Sequence, residues 1–310
     1  MSRHSAVLVA LALTGTLMGT PAEAVQRAFV ASNGSDANVA TSCGMAAPCR
    51  GFAAAVTVVD PNGEVLALDS VGYGAVTLTQ SVSLVAAPGV YAGISVPTGN
   101  GVTIATAGIS VTLRGLTING VGGAMGVSMT NGTRLSIENC VISNFSSGTG
   151  VSITTGATVR IVDSLIRDSS TGVYVTNGGT VSIAGSKILG NTSVGLNVEG
   201  FPGGTTATVA VSDSVLSNNN FGLQLIAFST NPAAARVSMI RSTLSNNVNG
   251  AVVNASVGTA LLTIGNSMVT DNSGFGLRQS NLGAIESLVD NIVRQNGTNT
   301  SGTITAVAPI

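Results

Sequence analysis

Charge is scarce in this 310-residue chain, where only 8% of residues are Asp, Glu, Lys or Arg. Setting aside Arg3 and Glu23, which fall in an N-terminal leader, leaves 11 basic and 12 acidic residues. No basic patch is available for nucleic acid, and no acidic block for a metal ion. Histidine occurs only as His4, so the chain after the leader has no imidazole for acid–base work. Lysine occurs only as Lys187. No apolar run beyond the leader approaches the about 20 residues of a membrane span. Sustained helical periodicity is also missing. Disorder does not follow from the low charge, because 44% of residues are hydrophobic and they are regularly placed.

What is present is a phrase of roughly 22 to 28 residues, recurring from Val111 to Asn296. Each copy opens on alternating apolar residues, such as Val159 and Ile161, or Val181 and Ile183. Five residues on comes a small or modest side chain: Leu116, Cys140, Ser164, Ser186, Ser214, Ser242, Ser267 and Asn291. Seven on, the residue is always aliphatic, from Ile118 and Ile142 to Val269 and Val293. Ten on, the later copies place Ser169, Asn191, Asn219, Asn247, Asn272 and Asn296. A Gly-led strand follows, as at Gly150, Gly172, Gly195 and Gly222. Period-two alternation without intervening helix predicts two or three short parallel strands per repeat, one coil each. About eleven coils at the interstrand spacing would make a rod of roughly 50 Å. Stacked coils place like on like, so the Asn row is expected to form a ladder of amides that satisfies turn backbone.

This phrase resembles that of the right-handed parallel β-helix, or pectin-lyase-like, superfamily. The resemblance covers most of the chain after the leader and implies an all-β, single-stranded right-handed solenoid. It says little of activity, since lyases, hydrolases and adhesins share this fold. The opening segment from Phe29 to Arg50 and the turn Pro88 to Tyr91 also resemble the family. The apolar run from Ala6 to Gly19, ending at Ala22 and Ala24, reads as a secretory signal peptide. The expected division is a signal over 1–24, an N-terminal strand, disulfide loop and short capping helix over 25–63, and the β-helix over 64–310. The helix is sought between Pro48 and Val59, ahead of a strong turn at Asp60 to Gly63. Cys43 and Cys49, six apart in an exported loop, are expected to be disulfide-bonded. Cys140 stands in the serine row and reads as a buried free thiol, with an intermolecular bridge as the alternative.

Enzymes of the resembled superfamily place their chemistry on the outer face of one long sheet. The Gly-led strands offer Ser128, Ser152, Tyr174, Asn197, Gln224, Val252 and Arg278 outward. A second outward row holds Thr130, Thr154, Thr176, Glu199, Ile226, Asn254 and Ser280. Hydrolysis needs paired carboxylates, and this face offers only Glu199. Asp163 and Asp213 share a row, but Gly185 separates them, leaving roughly 9.6 Å between backbones, too far for one Ca²⁺. Arg241 beside Asp213 reads as a surface ion pair. Asp168 and Asp271 read as turn residues.

What remains is an exposed polar track with one aromatic: Tyr174, Asn197, Glu199, Gln224 and Arg278. Planar hydrogen-bonding groups beside an aromatic ring suit a sugar. The longest repeat intervals carry insertions at Phe201 to Gly204 and Phe228 to Arg236, which would raise a wall beside the track. The leading expectation is a secreted, periplasmic or extracellular protein with a binding or structural role, its ligand a polysaccharide or cell-surface glycan. A polysaccharide lyase or glycoside hydrolase is one alternative, and a surface adhesin or self-associating protein is another. No cofactor, metal, nucleic-acid partner or transmembrane segment after signal cleavage is expected. N-terminal sequencing of the exported protein should begin at Val25; a retained leader would contradict the cleavage.

Overall fold

The computed structural model describes residues 25–201, 205–228 and 233–308. The leader and its cleavage point lie outside these residues. Three parallel sheets wind around one core, one of twelve strands and two of ten. They are termed sheets 1, 2 and 3 in the order the chain visits them. Each turn contributes one strand to each sheet. The first complete turn is Gly63–Ala67, Val71–Gly72 and Val76–Leu78, and the tenth is Ala284–Leu288, Ile292–Arg294 and Thr298–Ser301. Sheet 1 gains its two further strands at the ends, Arg27–Val30 and Ile304–Val307. Among the described residues the solenoid therefore has ten complete turns where about eleven were expected. Among the described residues, the two strands beyond those turns have no counterparts in sheets 2 and 3 that would close another.

The alternation predicted from the sequence sets the core. Val159 and Ile161 of sheet 1, Ile166 of sheet 2, and Val173 and Val175 of sheet 3 are all buried in a single cluster running the length of the rod. Each aliphatic residue stacks on its counterpart one turn away, as in Ile142–Ile166–Ile188. Like residues stacked in register fill the inside of the coil without gaps.

The corners carry most of the structural chemistry. The chain turns from sheet 1 to sheet 2 at Asn139, Asp163, Gly185, Asp213, Arg241 and Asn266, all with positive φ. It turns from sheet 2 to sheet 3 at Asn144, Asp168, Gly190, Asn218, Asn246, Asp271 and Gln295, again with positive φ. Asn, Asp and Gly tolerate this left-handed backbone, which explains their recurrence. The turn reading of Asp168 and Asp271 is borne out by their φ of 55°. Arg241 is an exception by residue type, and its guanidinium spans both oxygens of Asp213 at 2.8 and 2.9 Å.

A bend removes backbone groups from the sheet ladders, and two side-chain ladders replace them. The Ser186 amide donates to Ser214 Oγ at 3.1 Å, and the Ser186 hydroxyl donates to the Ala184 carbonyl at 3.0 Å. The same pattern repeats at Ser164, Ser214 and Ser242, and at Ser267 the amide donates instead to Asn291 Oδ1. At the other corner Asn219 Oδ1 accepts from both the amide and Nδ2 of Asn191, each at 2.9 Å. Asn219 donates onward to Asn247 Oδ1 at 3.1 Å and to the Ser217 carbonyl at 3.1 Å. This ladder also explains the Gly-led strand. A Cβ on Gly222 would lie 2.7 Å from the Gly250 carbonyl oxygen and 2.9 Å from Asn247 Nδ2. Only glycine leaves the amide row its space.

At the N-terminal end Cys43 and Cys49 are disulfide-bonded, as expected from their spacing. Their loop is tied to the first strand, since Phe29 donates to the Cys43 carbonyl and accepts from the Cys49 amide. The expected helix between 48 and 59 is a single turn, Phe52–Ala55, preceded by a 3-10 segment at Asp36–Thr41. The run Val56, Thr57, Val58, Val59 is β-branched and stops the helix early. Phe52, Ala55, Val56 and Val59 join the same core cluster as Val76 and Leu78 of the first turn. Cys140 is free and buried in the serine row, and its burial pushes the thiol up to about 11.

Removing the Asn219 side chain strands the amide and Nδ2 donors of Asn191, while Asn247 Oδ1 keeps only the Asn219 backbone amide. Asn219→Ala should therefore cost about 3 kcal/mol. Asn220→Ala, an exposed neighbour, should stay within about 0.5 kcal/mol of wild type. Urea unfolding midpoints of the two variants measure the difference; equal midpoints would contradict a stabilising ladder.

Candidate ligand face on the third sheet

The predicted row lies on one ladder of sheet 3. Ser128, Ser152, Tyr174, Asn197, Gln224, Val252 and Arg278 follow each other in register, one per turn. Exposure along it is uneven. Ser128, Ser152 and Val252 are buried, although their side chains point away from the core, because small groups between close neighbours are shielded on both sides. Tyr174, Asn197 and Gln224 are half-buried and adjacent.

Arg278 is set apart. Three strand steps, roughly 14 Å, separate it from Asn197, with Val252 in between. Its guanidinium lies 4.7 Å over the Phe275 ring on its own strand, so it is spent on a cation–π contact. The continuous track expected from Tyr174 to Arg278 is thus a block at one end and a stacked arginine at the other.

The block has a definite geometry. Tyr174 pairs with Asn197, and Thr176, one position past the strand, continues that register opposite Glu199. Four side chains occupy the corners of a near-rectangle. Tyr174 Oη donates to Glu199 Oε2 at 2.6 Å along one diagonal. The other diagonal holds Thr176 Oγ1 and Asn197 Oδ1, both buried and both without a hydrogen-bond partner. They are the two such atoms among the described residues. Thr176 is only 3% exposed. Its hydroxyl lies near enough to the Tyr174 phenol to act on its acidity, but not in hydrogen-bonding geometry. Burial pushes the Tyr174 phenol up to about 12, with further raising from the Glu199 hydrogen bond and charge and a small opposing effect of Thr176.

The surroundings are more apolar than the sequence suggested. From the sixth turn to the ninth, the strands of sheet 3 lengthen from five residues to seven: Val194–Gly200, Phe221–Ala227, Asn249–Ala255 and Phe275–Asn281. Part of each expected insertion is therefore extra strand. The remainder lies partly outside the described residues. The lengthening adds outward positions, with Ile226 beside Glu199 and the exposed Phe201 and Phe228 beyond, at 47% and 51% exposure. Phe201 and Phe228 follow strands that are neighbours in the sheet, so they stand one turn apart at the border of the block. The signal for this platform was the longer repeat interval, read as loop rather than strand.

Carboxylates elsewhere do not join the face. Asp213 is paired with Arg241 at a corner, and the Cβ a residue other than glycine would place at position 185 meets Asp163 Oδ1. Lys187 lies on sheet 2, in Lys187–Leu189. Among the described residues no group of three or more His, Cys, Asp or Glu side chains is placed to hold a metal ion. No helix among them is long and apolar enough to cross a membrane.

The chain belongs to the right handed beta helix region family, whose model matches residues 100–267. Among solved structures, the pectate lyase Pel9A is 15% identical, with 89% of this chain and 78% of that chain covered and a TM-score of 0.62. The tailspike protein 2 of Escherichia coli O157:H7 bacteriophage CAB120 is 14% identical, with 84% of this chain and 39% of that chain covered and a TM-score of 0.52. These likenesses establish the solenoid and its class. No curated protein matches the sequence.

The Tyr174–Glu199 bond has a pH signature. The phenol is raised in the folded chain from an ordinary value of 10.0 to about 12, so the protonated form is the one the fold favours. The bond's contribution is complete below about pH 10 and is lost as pH climbs through about 12. The gap in unfolding midpoint between wild type and Tyr174→Phe should be flat to about pH 10 and close above it. A gap that widens with rising pH would contradict the assignment.

Proposed function

We propose that this is an exported β-helix protein that binds an extracellular carbohydrate at the Tyr174, Thr176, Asn197 and Glu199 block of sheet 3. The observation that carries the reading is the pair of buried, unpartnered polar atoms beneath a single tyrosine–glutamate bond. Leaving a buried polar group unpaired costs about 1–3 kcal/mol, so such a pair is a natural place for ligand hydroxyls. Swinging the Tyr174 ring away would open Thr176 Oγ1 and Asn197 Oδ1 to a sugar diol and free Glu199 to accept as well. Phe201 and Phe228 add flat apolar surface of the kind on which sugar rings stack. Gln224 extends the polar edge by one turn, and Arg278 with Phe275 forms a separate contact two turns further on. The disulfide supports an extracellular setting. A pectate lyase among the structural neighbours supports a polysaccharide as the general ligand class.

Catalysis is the weaker reading. Glu199 is the carboxylate of the block, and it is held by Tyr174 with no second carboxylate in the ladder to share the work.

A glycan array screened with the exported chain, beside a polysaccharide depolymerisation assay, tests the proposal. Binding without turnover is expected. Tyr174→Ala combined with Asn197→Ala should weaken the best ligand at least about tenfold, or about 1.4 kcal/mol. Arg278→Ala should change it less. No glycan binding, or binding indifferent to the double substitution, would overturn the proposal.

A further inference from the structure

The outer face of sheet 1 carries a separate concavity of about 460 Å³ over the second to fifth turns. Its lining includes Ser83, Thr112, Arg134, Ser136, Thr158 and Arg160. Arg134 stands between Ser110 and Thr158 in the ladder, and Arg160 stands between Ser136 and Ser182. The two arginines are diagonal neighbours, roughly 8 Å apart at the backbone from strand spacing and rise. Both are exposed, and among the described residues neither forms an ion pair.

One carboxylate, Glu138, lies nearby and feels the charge of Arg160, but it forms no ion pair with either arginine. Glu138 accepts from the Ser136 hydroxyl at 2.7 Å and from Arg114 Nε at 2.9 Å. Those bonds, the serine's foremost, hold its carboxyl below the ordinary range. Counted together, Arg114, Arg134 and Arg160 against Glu138 leave an excess of two positive charges. The chain as a whole carries a net charge of −1, so the patch is a local inversion.

We propose that this concavity binds a sulfate or phosphate ester carried on an extracellular glycan. A guanidinium is charged at every relevant pH and presents a rigid fork of donors. Two such forks above a floor of serine and threonine hydroxyls offer more donors than the two oxygens of a carboxylate can take up. A sulfate or phosphate ester presents three outer oxygens, which match that supply. A single arginine pair in a short trough suits an isolated ester group, whereas a nucleic-acid backbone calls for a longer basic stripe. The site is independent of the sheet 3 block and stands or falls separately.

Direct binding to the exported chain tests it, with dextran sulfate, phosphorylated dextran, unmodified dextran, polygalacturonate and a single-stranded oligonucleotide as probes. Arg134→Gln, Arg160→Gln and the double variant are compared with Arg294→Gln, an exposed arginine on sheet 2, and melting curves confirm that each is folded. One or both ester glycans should bind at least about tenfold more tightly than unmodified dextran and polygalacturonate, and the stronger of the two names the ester. The double variant should lose at least about tenfold, while Arg294→Gln stays within about twofold. Failure of both esters to bind, equal or tighter binding of polygalacturonate or the oligonucleotide, or an equal loss in Arg294→Gln overturns the proposal. Glycan binding that ignores the ester and depends on Tyr174 supports the sheet 3 reading and overturns this one.

Discussion

Every position in this solenoid faces its own counterpart one strand spacing away, and that constraint governs the rest of the structure. A side chain is acceptable only if it can lie against a copy of its row. Aliphatic rows meet the demand by close packing, as in Ile142, Ile166 and Ile188. Polar rows meet it only if each member both donates and accepts. Serine and asparagine do so, and they hold the two corners where bending takes backbone groups out of the sheets. Repeated like charges would repel, which accounts for the low charge content better than any functional argument.

The same constraint gives functional weight to the places where a row is interrupted. Tyr174 and Asn197 succeed two serines in their ladder, and Thr176 and Glu199 stand beside them. Tyr174 bonds diagonally rather than along its row, and the atoms on the other diagonal are left without partners. On sheet 1 the row of Ser83, Thr112 and Ser136 is broken by Arg160, next to Arg134. Neither departure helps the stacking. Both sit on outer faces, where the core does not demand a particular residue.

Much of the scaffold was legible in the sequence, because stacking turns three-dimensional proximity into periodicity. The aliphatic positions, the serine and asparagine rows, the turn role of Asp168 and Asp271, the Asp213–Arg241 pair and the Cys43–Cys49 bond all occupy the places their spacing indicated. The candidate site was only half legible. Tyr174, Asn197, Glu199 and Gln224 come together as their shared face required, but Arg278 lies too many turns away and rests on Phe275. The longer intervals after Glu199 and Gln224 suggested loops, whereas much of the added chain continues the strands and carries Phe201 and Phe228 to the border of the block. Spacing reports which residues share a row, and not how far along the rod an interaction extends.

By itself the sequence determined the class of fold, the faces of the strands and the identity of the stacking rows, since each follows from periodicity and from which side chains can satisfy a copy of themselves. Only the tertiary structure decided the number of complete turns, the burial of Ser128, Ser152 and Val252, the diagonal bond beside Thr176 and Asn197, and the concavity that gathers Arg134 and Arg160 on sheet 1. These depend on side-chain direction and shielding between neighbouring turns, and a one-dimensional repeat carries no information on either.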